Sequence, residues 1–181
     1  MTTDILRPLQ HQDLEMVRNW RNSEAVAQYM YSSEPITAEQ QKAWFASISA
    51  DASKQYWIIT YQGRDVGVAN LYAINQAFQS CYWAFYLGDQ NLRGTGIGAK
   101  VEFTVLEYVF SELKLNKLLC EVFVDNDKVI GMHEKFGFRR ESYFREHIRK
   151  DGVFKDVVGL AMLQREWLQV REALQARVFR R

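Results

Sequence analysis

Apolar positions follow two rhythms along this chain, and the change from one to the other marks its elements. Short runs rich in aromatic and β-branched residues predict strands at 5–9, 56–61, 66–74, 80–87, 117–124, 139–149 and 154–163. Three-to-four spacing predicts helices between them. One covers 13–21, with Leu14 and Val17 on its apolar side and Arg18 and Arg21 beside them. A second begins at Thr37, where Thr-x-x-Gln is a capping box, and turns Trp44, Phe45 and Ile48 inward. A third runs from Gly98 to Leu113 on Val101, Val105, Tyr108 and Val109. The fourth, 127–136, stops at Gly137, and the last, 164–177, carries Trp167, Leu168, Val170 and Leu174. The segment Tyr29-Met-Tyr-Ser32 is aromatic and irregular.

The order is β-α-α-β-β-β-α-β-α-β-β-α. Gln62-Gly-Arg-Asp65 and Lys150-Asp-Gly152 read as hairpin turns. Two prolines, short loops and no linker or repeat point to one domain over 1–181. The class is α/β, with a mixed, mostly antiparallel central sheet flanked by helices. One right-handed crossover joins 80–87 to 117–124.

Composition narrows the function. A 48% hydrophobic, 14% aromatic chain can bury a sizeable core. Its 23 basic and 22 acidic residues nearly cancel, which argues against nucleic acid or an anionic membrane as the main partner. No apolar run is long enough to span a bilayer. The start, Met-Thr-Thr-Asp-Ile-Leu-Arg, lacks a signal-peptide core, so a cytoplasmic location is expected. Cys81 and Cys120 lie in strand-like runs and read as reduced core residues. Three scattered histidines offer no zinc spacing, so no metal is expected.

The chemistry centres on Arg93-Gly94-Thr95-Gly96-Ile97-Gly98, where strand 80–87 gives way to a helix. A helix N-terminus presents unpaired N–H groups and partial positive charge, and glycines let a phosphate come close. A dinucleotide fingerprint is formally present as Gly94-x-Gly96-x-x-Ala99, but it stands mid-chain and lacks an acidic strand end at the required distance. A P-loop is excluded, because no Gly-Lys-Ser/Thr follows.

The pattern Arg93-x-x-Gly96-x-Gly98 resembles motif A of the GNAT family of N-acetyltransferases, which binds the pyrophosphate of acetyl-CoA. Asn126, His133, Lys135, Gly137 and Phe138 are spaced like motif B of that family. The resemblance implies the acyl-CoA N-acyltransferase fold and acetyl-CoA as cosubstrate. It implies a cofactor site of Phe85, Tyr86, Leu87, Arg93, Gly94, Thr95, Gly96, Ile97, Gly98, Asn126, His133 and Lys135. His133 stands where the family usually has the tyrosine that faces the thioester sulfur. On its chemistry alone it is a half-buried helix residue between Met132 and Phe136.

A narrower likeness involves Trp20-Arg-Asn22, Tyr29-Met-Tyr-Ser32, Trp44-Phe45, Gly67-Val68, 115–122 and 145–152. It is to the branch that acetylates the 4-amine of UDP-4-amino-4,6-dideoxy-N-acetyl-β-L-altrosamine in the pseudaminic acid pathway. That branch implies a nucleotide-sugar pocket of Arg21, Met30, Tyr31, Gln41, Trp44, Tyr82 and Tyr86. The aromatics among these also read as helix packing. Ribosomal-protein N-terminal and polyamine acetyltransferases share part of the pattern, and a non-catalytic acyl-CoA-binding module is the reading from another class. The partner expected is a small molecule, and a homodimer is left open.

Acetyl transfer to an amine needs a proton acceptor, an oxyanion donor and relief for the leaving thiolate. No Cys or Ser beside a base suggests a covalent intermediate, so direct attack is expected. His133 is the candidate acid. Glu121 and Tyr86 are candidate bases through a water relay, no base is needed if the amine arrives neutral, and Glu121 faces either the cleft or solvent by strand alternation. Glu102 reads as a solvated helix residue. Arg145, Arg149 and Lys150 read as a basic strand end, solvated or assisting an anionic substrate.

Overall fold

The computed structural model describes residues 3–92 and 94–180; Arg93, the first residue of the glycine motif, lies outside them. Seven strands form one sheet in the order β1-β2-β3-β4-β5-β7-β6. The strands are β1 (Leu6–Pro8), β2 (Gln55–Tyr61), β3 (Arg64–Asn75), β4 (Ser80–Leu87), β5 (Lys117–Phe123), β6 (Arg139–Lys150) and β7 (Val153–Leu163). Every neighbouring pair is antiparallel except β4 and β5, which the crossover makes parallel. The helices are α1 (Leu14–Asn22), α2 (Glu24–Ala27), α3 (Ala38–Ser49), α4 (Ile97–Glu107), α5 (Asp127–Phe136) and α6 (Gln164–Val178). No described helix is long and apolar enough to cross a membrane.

Local chemistry sets these boundaries. The Thr37 hydroxyl oxygen accepts from the Gln40 backbone N–H and the Gln40 side-chain oxygen accepts from the Thr37 N–H, completing the capping box of α3. Gly137 ends α5 at φ 101°, a left-handed cap that a side chain resists. Gln62 and Gly63, both at positive φ, turn β2 into β3. The helix expected over 98–113 is α-helical to Glu107 and then widens into a π-turn, Tyr108–Glu112, closed by Leu113 N–H on Tyr108 O at 3.0 Å. Both Val109 and Phe110 stay buried through that turn.

Strand alternation sorts the core into two layers. Trp57, Ile59, Ala69, Leu71, Cys81 and Trp83 join the large cluster that includes α4, α5 and α6. Ile58 and Val68 face the other way, onto Val17, Trp20 and Tyr86. Gly67 is needed where β3 meets the end of β4: a Cβ there would lie 2.2 Å from the Tyr86 carbonyl oxygen. Gly67→Ala should therefore force β3 and β4 apart and cost about 1–3 kcal/mol. At roughly 2–4 °C per kcal/mol the melting temperature should fall by several degrees; an unchanged melting curve would show that the strands yield without cost.

Candidate active site

The site begins as a break in the sheet. β4 and β5 pair only over Ser80–Tyr82 and Lys117–Leu119. Beyond that, Trp83–Leu87 pair with β3 alone and Cys120–Phe123 with β7 alone. Two parallel strands that stop pairing leave a notch with main-chain edges on both sides. Gly88 N–H donates to Val66 O at 2.8 Å, so alternation turns the N–H groups of Phe85 and Leu87 away from β3 and toward the notch. Tyr86 spends its backbone on β3.

The start of α4 lies beside Phe85: a Cβ on Gly98 would stand 3.6 Å from the Phe85 ring. Gly94 and Gly96 have φ of 84° and 86°, and a Cβ at either would meet nothing within 4 Å. Thr95 anchors the turn, its N–H and its hydroxyl both donating to Leu92 O. Lys100 N–H closes the first turn on Gly96 O, so the amides ahead of it point out of the helix end. A left-handed, side-chain-free turn that feeds a helix N-terminus is a place for an anion. Asn126 stands at the start of α5, and its side chain makes no capping bond there.

On the opposite face of the sheet a cavity of about 490 Å³ opens between α1, α3 and strands β2–β4. Of the residues expected there, Arg21, Met30, Gln41, Trp44 and Tyr86 line it. Arg21 donates to the Ser32 carbonyl and hydroxyl at 3.0 and 3.1 Å, and no carboxylate reaches it among the described residues. Burial draws its pKa down, against the pull of Tyr86. Gln41 is 4% exposed, and its amide nitrogen has no hydrogen-bond partner. The Trp44 and Tyr56 rings meet edge to face at 5.1 Å. Tyr31 and Tyr82 stand outside the lining of this cavity. Tyr82 stacks on Tyr72 at 5.3 Å, and Tyr31 packs on Phe123 at 5.3 Å.

Tyr31 also settles the direction of Glu121. Its hydroxyl donates to Glu121 Oε2 at 2.8 Å, so the carboxylate lies on the same sheet face as the cavity. Tyr86, the other candidate base, is corrected by its surroundings. Burial pushes its phenol well above the ordinary value although Arg21 opposes this, so near neutrality it is an O–H donor and not a base.

His133 is more deeply buried than its sequence suggests, at 3% exposure. Its Nδ1 lies 2.7 Å from Glu102 Oε1, and its ring meets Trp83 and Phe138. Glu102 is 0% exposed, which corrects the solvated reading. It occupies the same helical stripe as Gly98, Val105, Leu106 and Val109, a spacing that could have revealed it. Burial alone lowers an imidazole pKa, but Cys120 and Glu102 together outweigh it and raise that of His133 to about 10. Lys135, at the far end of α5, is exposed.

Lys150 is also corrected. It is buried, and its ammonium donates to the carbonyls of Ala27, Gln28 and Met30 at 2.6, 2.9 and 2.7 Å. It therefore straps the end of β6 to the segment that carries Met30 and Tyr31.

A model of the acetyltransferase (GNAT) domain matches residues 5–139. The chain belongs to the GNAT acetyltransferases. Spermidine N(1)-acetyltransferase of Vibrio cholerae is 25% identical over 169 residues, 92% of this chain and 96% of that protein. Acetyltransferase PseH of Campylobacter jejuni is 28% identical over 130 residues, 72% of this chain and 79% of that one. The crystal structure of the Vibrio cholerae spermidine enzyme with CoA and spermine superposes with a TM-score of 0.83 at 24% identity, covering 90% of this chain and 96% of that one. This acetyltransferase accordingly uses acetyl-CoA and transfers acetyl to nitrogen. Sequence reasoning missed the strand contribution to its cavity, from Val68, Asn70 and Ala84. Their signal was the alternation they share with Tyr82 and Tyr86.

Proposed function

We propose that this acetyltransferase acts on the 4-amino group of a UDP-amino-sugar, as in pseudaminic acid biosynthesis. The observation that carries the reading is the lining of the acceptor cavity. It holds an arginine without a carboxylate partner, the unpaired buried amide of Gln41, Asn70 and the rings of Trp44, Tyr56, Phe85 and Tyr86, with Glu34 as its one carboxylate among the described residues. A polycation would need several acids there. A diphosphate suits Arg21, and a base or sugar face suits Trp44 and Tyr56.

In this mechanism the backbone amides of Gly96, Ile97 and Gly98, with Thr95 and Gly94 shaping the turn, hold the pyrophosphate. Phe85 and Leu87 hold the pantetheine arm through main-chain bonds, as an added strand would be held, with Asn126 beside it. The acceptor nitrogen attacks the thioester carbon directly. An N–H of β4 stabilises the oxyanion. Glu121, steadied by Tyr31, takes the proton from the amine. The C–N bond forms, the C–S bond breaks, and His133 is the candidate to protonate the departing sulfur.

Transfer to spermidine is the second reading, favoured by the relatives that act on it and match more of the chain. UDP alone separates the two. It should bind by calorimetry and compete with the acceptor, while spermidine should do neither; the reverse would reject the nucleotide-sugar reading. Arg21→Ala should raise the acceptor KM about ten- to a hundredfold, the equivalent of roughly 1.5–3 kcal/mol for a charge-assisted bond. Acetyl-CoA binding should be unaffected. Equal acceptor KM values in mutant and wild type would remove Arg21 from the diphosphate site.

A further inference from the structure

Of the run Trp20-Arg-Asn22, only Arg21 lines the acceptor cavity. Its two neighbours close on other parts of the molecule. The Asn22 side chain donates from Nδ2 to Ile36 O and accepts from the Ile36 N–H at Oδ1, both at 2.9 Å. These bonds close the segment 23–36, from which Met30, Ser32 and Ile36 line the cavity. Trp20 bears instead on the end of β4. A Cβ on Gly88 would lie 2.3–2.4 Å from Cγ, Cδ1 and Cδ2 of the indole. Three ring atoms equally near place the face of the ring, not its edge, on the Gly88 backbone.

Gly88 is therefore glycine for space. Its φ is not positive, so its backbone conformation does not require the missing side chain. Gly67 is the same case, with the Tyr86 carbonyl oxygen 2.2 Å from where its Cβ would be. The stretch from Tyr86 to Gly88 is thus gripped twice, by β3 along its edge and by α1 over its face. Leu87 lies between the two grips, and its N–H edges the notch. α1 is itself anchored. Its Val17 packs on Ile58 and Val68 of the sheet. Ser23 gives its N–H and its hydroxyl to Trp20 O, at 3.1 and 2.7 Å.

We propose that Trp20 is a positioning residue for acetyl transfer: its ring, seated on Gly88, fixes the end of β4 and so holds the Leu87 N–H at the notch. The inference rests on the notch as the seat of the pantetheine and thioester, not on which amine is acetylated. Beyond Tyr82, β4 is paired on one side only. A strand edge that must receive the thioester cannot also be held by β5, and Trp20 supplies the restraint from α1. The tolerance is small, because a misplacement of about 1 Å can cost on the order of 10²-fold in rate. Arg21 and Asn22 follow Trp20 on the same turn. One helix end therefore sets the cofactor strand and the acceptor wall at a fixed separation.

The test is Trp20→Ala and Gly88→Ala, singly and together, in the full-length protein. Loss of the ring frees the strand end, and the added methyl group pushes the strand off the ring. Each single variant should lower kcat about ten- to a hundredfold, with whichever of the UDP-amino-sugar and spermidine the wild type acetylates. CoA binding by calorimetry should weaken about two- to tenfold, the worth of one neutral hydrogen bond. ADP, which carries the pyrophosphate but no pantetheine, should bind as in the wild type. The two changes should not add: with the ring gone the methyl group has room, and Gly88→Ala should then alter kcat less than about twofold. Trp20→Phe, which keeps a flat ring over Gly88, should retain most of the rate; with Gly88→Ala it judges the contact if Trp20→Ala does not fold. A lower melting temperature with wild-type kcat and CoA affinity in Trp20→Ala would make the indole a packing residue and overturn the proposal. Equal losses from Gly88→Ala in both backgrounds would overturn it too, since the glycine would then serve something other than the ring. So would an equal weakening of CoA and ADP, which would place the effect at the glycine turn. The CoA and ADP titrations need no acceptor, so they decide the case even if the wild type acetylates neither amine.

Discussion

Gly96→Val is expected to abolish acetyl-CoA binding while leaving a folded protein. Gly96 caps α4 at φ 86°, a region where a side chain costs about 1–2 kcal/mol and a β-branched one more. A Cβ at this position points into open space, so no packing contact is broken. The valine instead fills the concavity ahead of the α4 amides, where the pyrophosphate must approach the backbone. Calorimetric titration with CoA should show no measurable binding, and circular dichroism should show a native spectrum. Gly96→Ala, with a smaller group and less strain, should weaken binding without removing it. Wild-type CoA affinity in a folded Gly96→Val protein would mean that this turn does not hold the cofactor.

Lys150→Met should cripple acceptor binding from outside the cavity. The ammonium holds three main-chain carbonyls of one short segment, between α2 and the residues that line the cavity. Without it, those carbonyls lose a cationic donor whose bonds are each worth roughly 1.5–3 kcal/mol, although the three do not add. The segment around Met30 should lose its fixed place, and the acceptor KM should rise at least about tenfold. Acetyl-CoA affinity should be unchanged, because the glycine turn lies on separate elements. Lys150→Arg should rescue little, since a planar fork does not present one nitrogen to three converging oxygens. A normal acceptor KM in Lys150→Met would show that this segment holds its shape unaided.

The elements and the glycine turn could be read from sequence because their causes are local. The Thr37 capping box, the Gly137 cap and the alternation of β2 to β4 each act within a few residues. The notch has a longer-range cause, the parallel β4–β5 pairing that stops after three residues. What the sequence hid depends on groups brought together from afar. Lys150 meets Ala27 across 123 residues, and Tyr31 meets Glu121 across 90. Glu102 reads as solvated because a charge on a helix usually is, and only burial against His133 reverses this. The ring partners of Tyr31 and Tyr82, Phe123 and Tyr72, likewise come from other elements of the fold.

The most direct test of the account is CoA thiol release from acetyl-CoA, with UDP-4-amino-4,6-dideoxy-N-acetyl-β-L-altrosamine and spermidine offered in parallel. Saturable thiol release with the sugar nucleotide, matched by one acetyl group on its 4-nitrogen and little release with spermidine, is the predicted result. Preferred acetylation of spermidine would contradict the account.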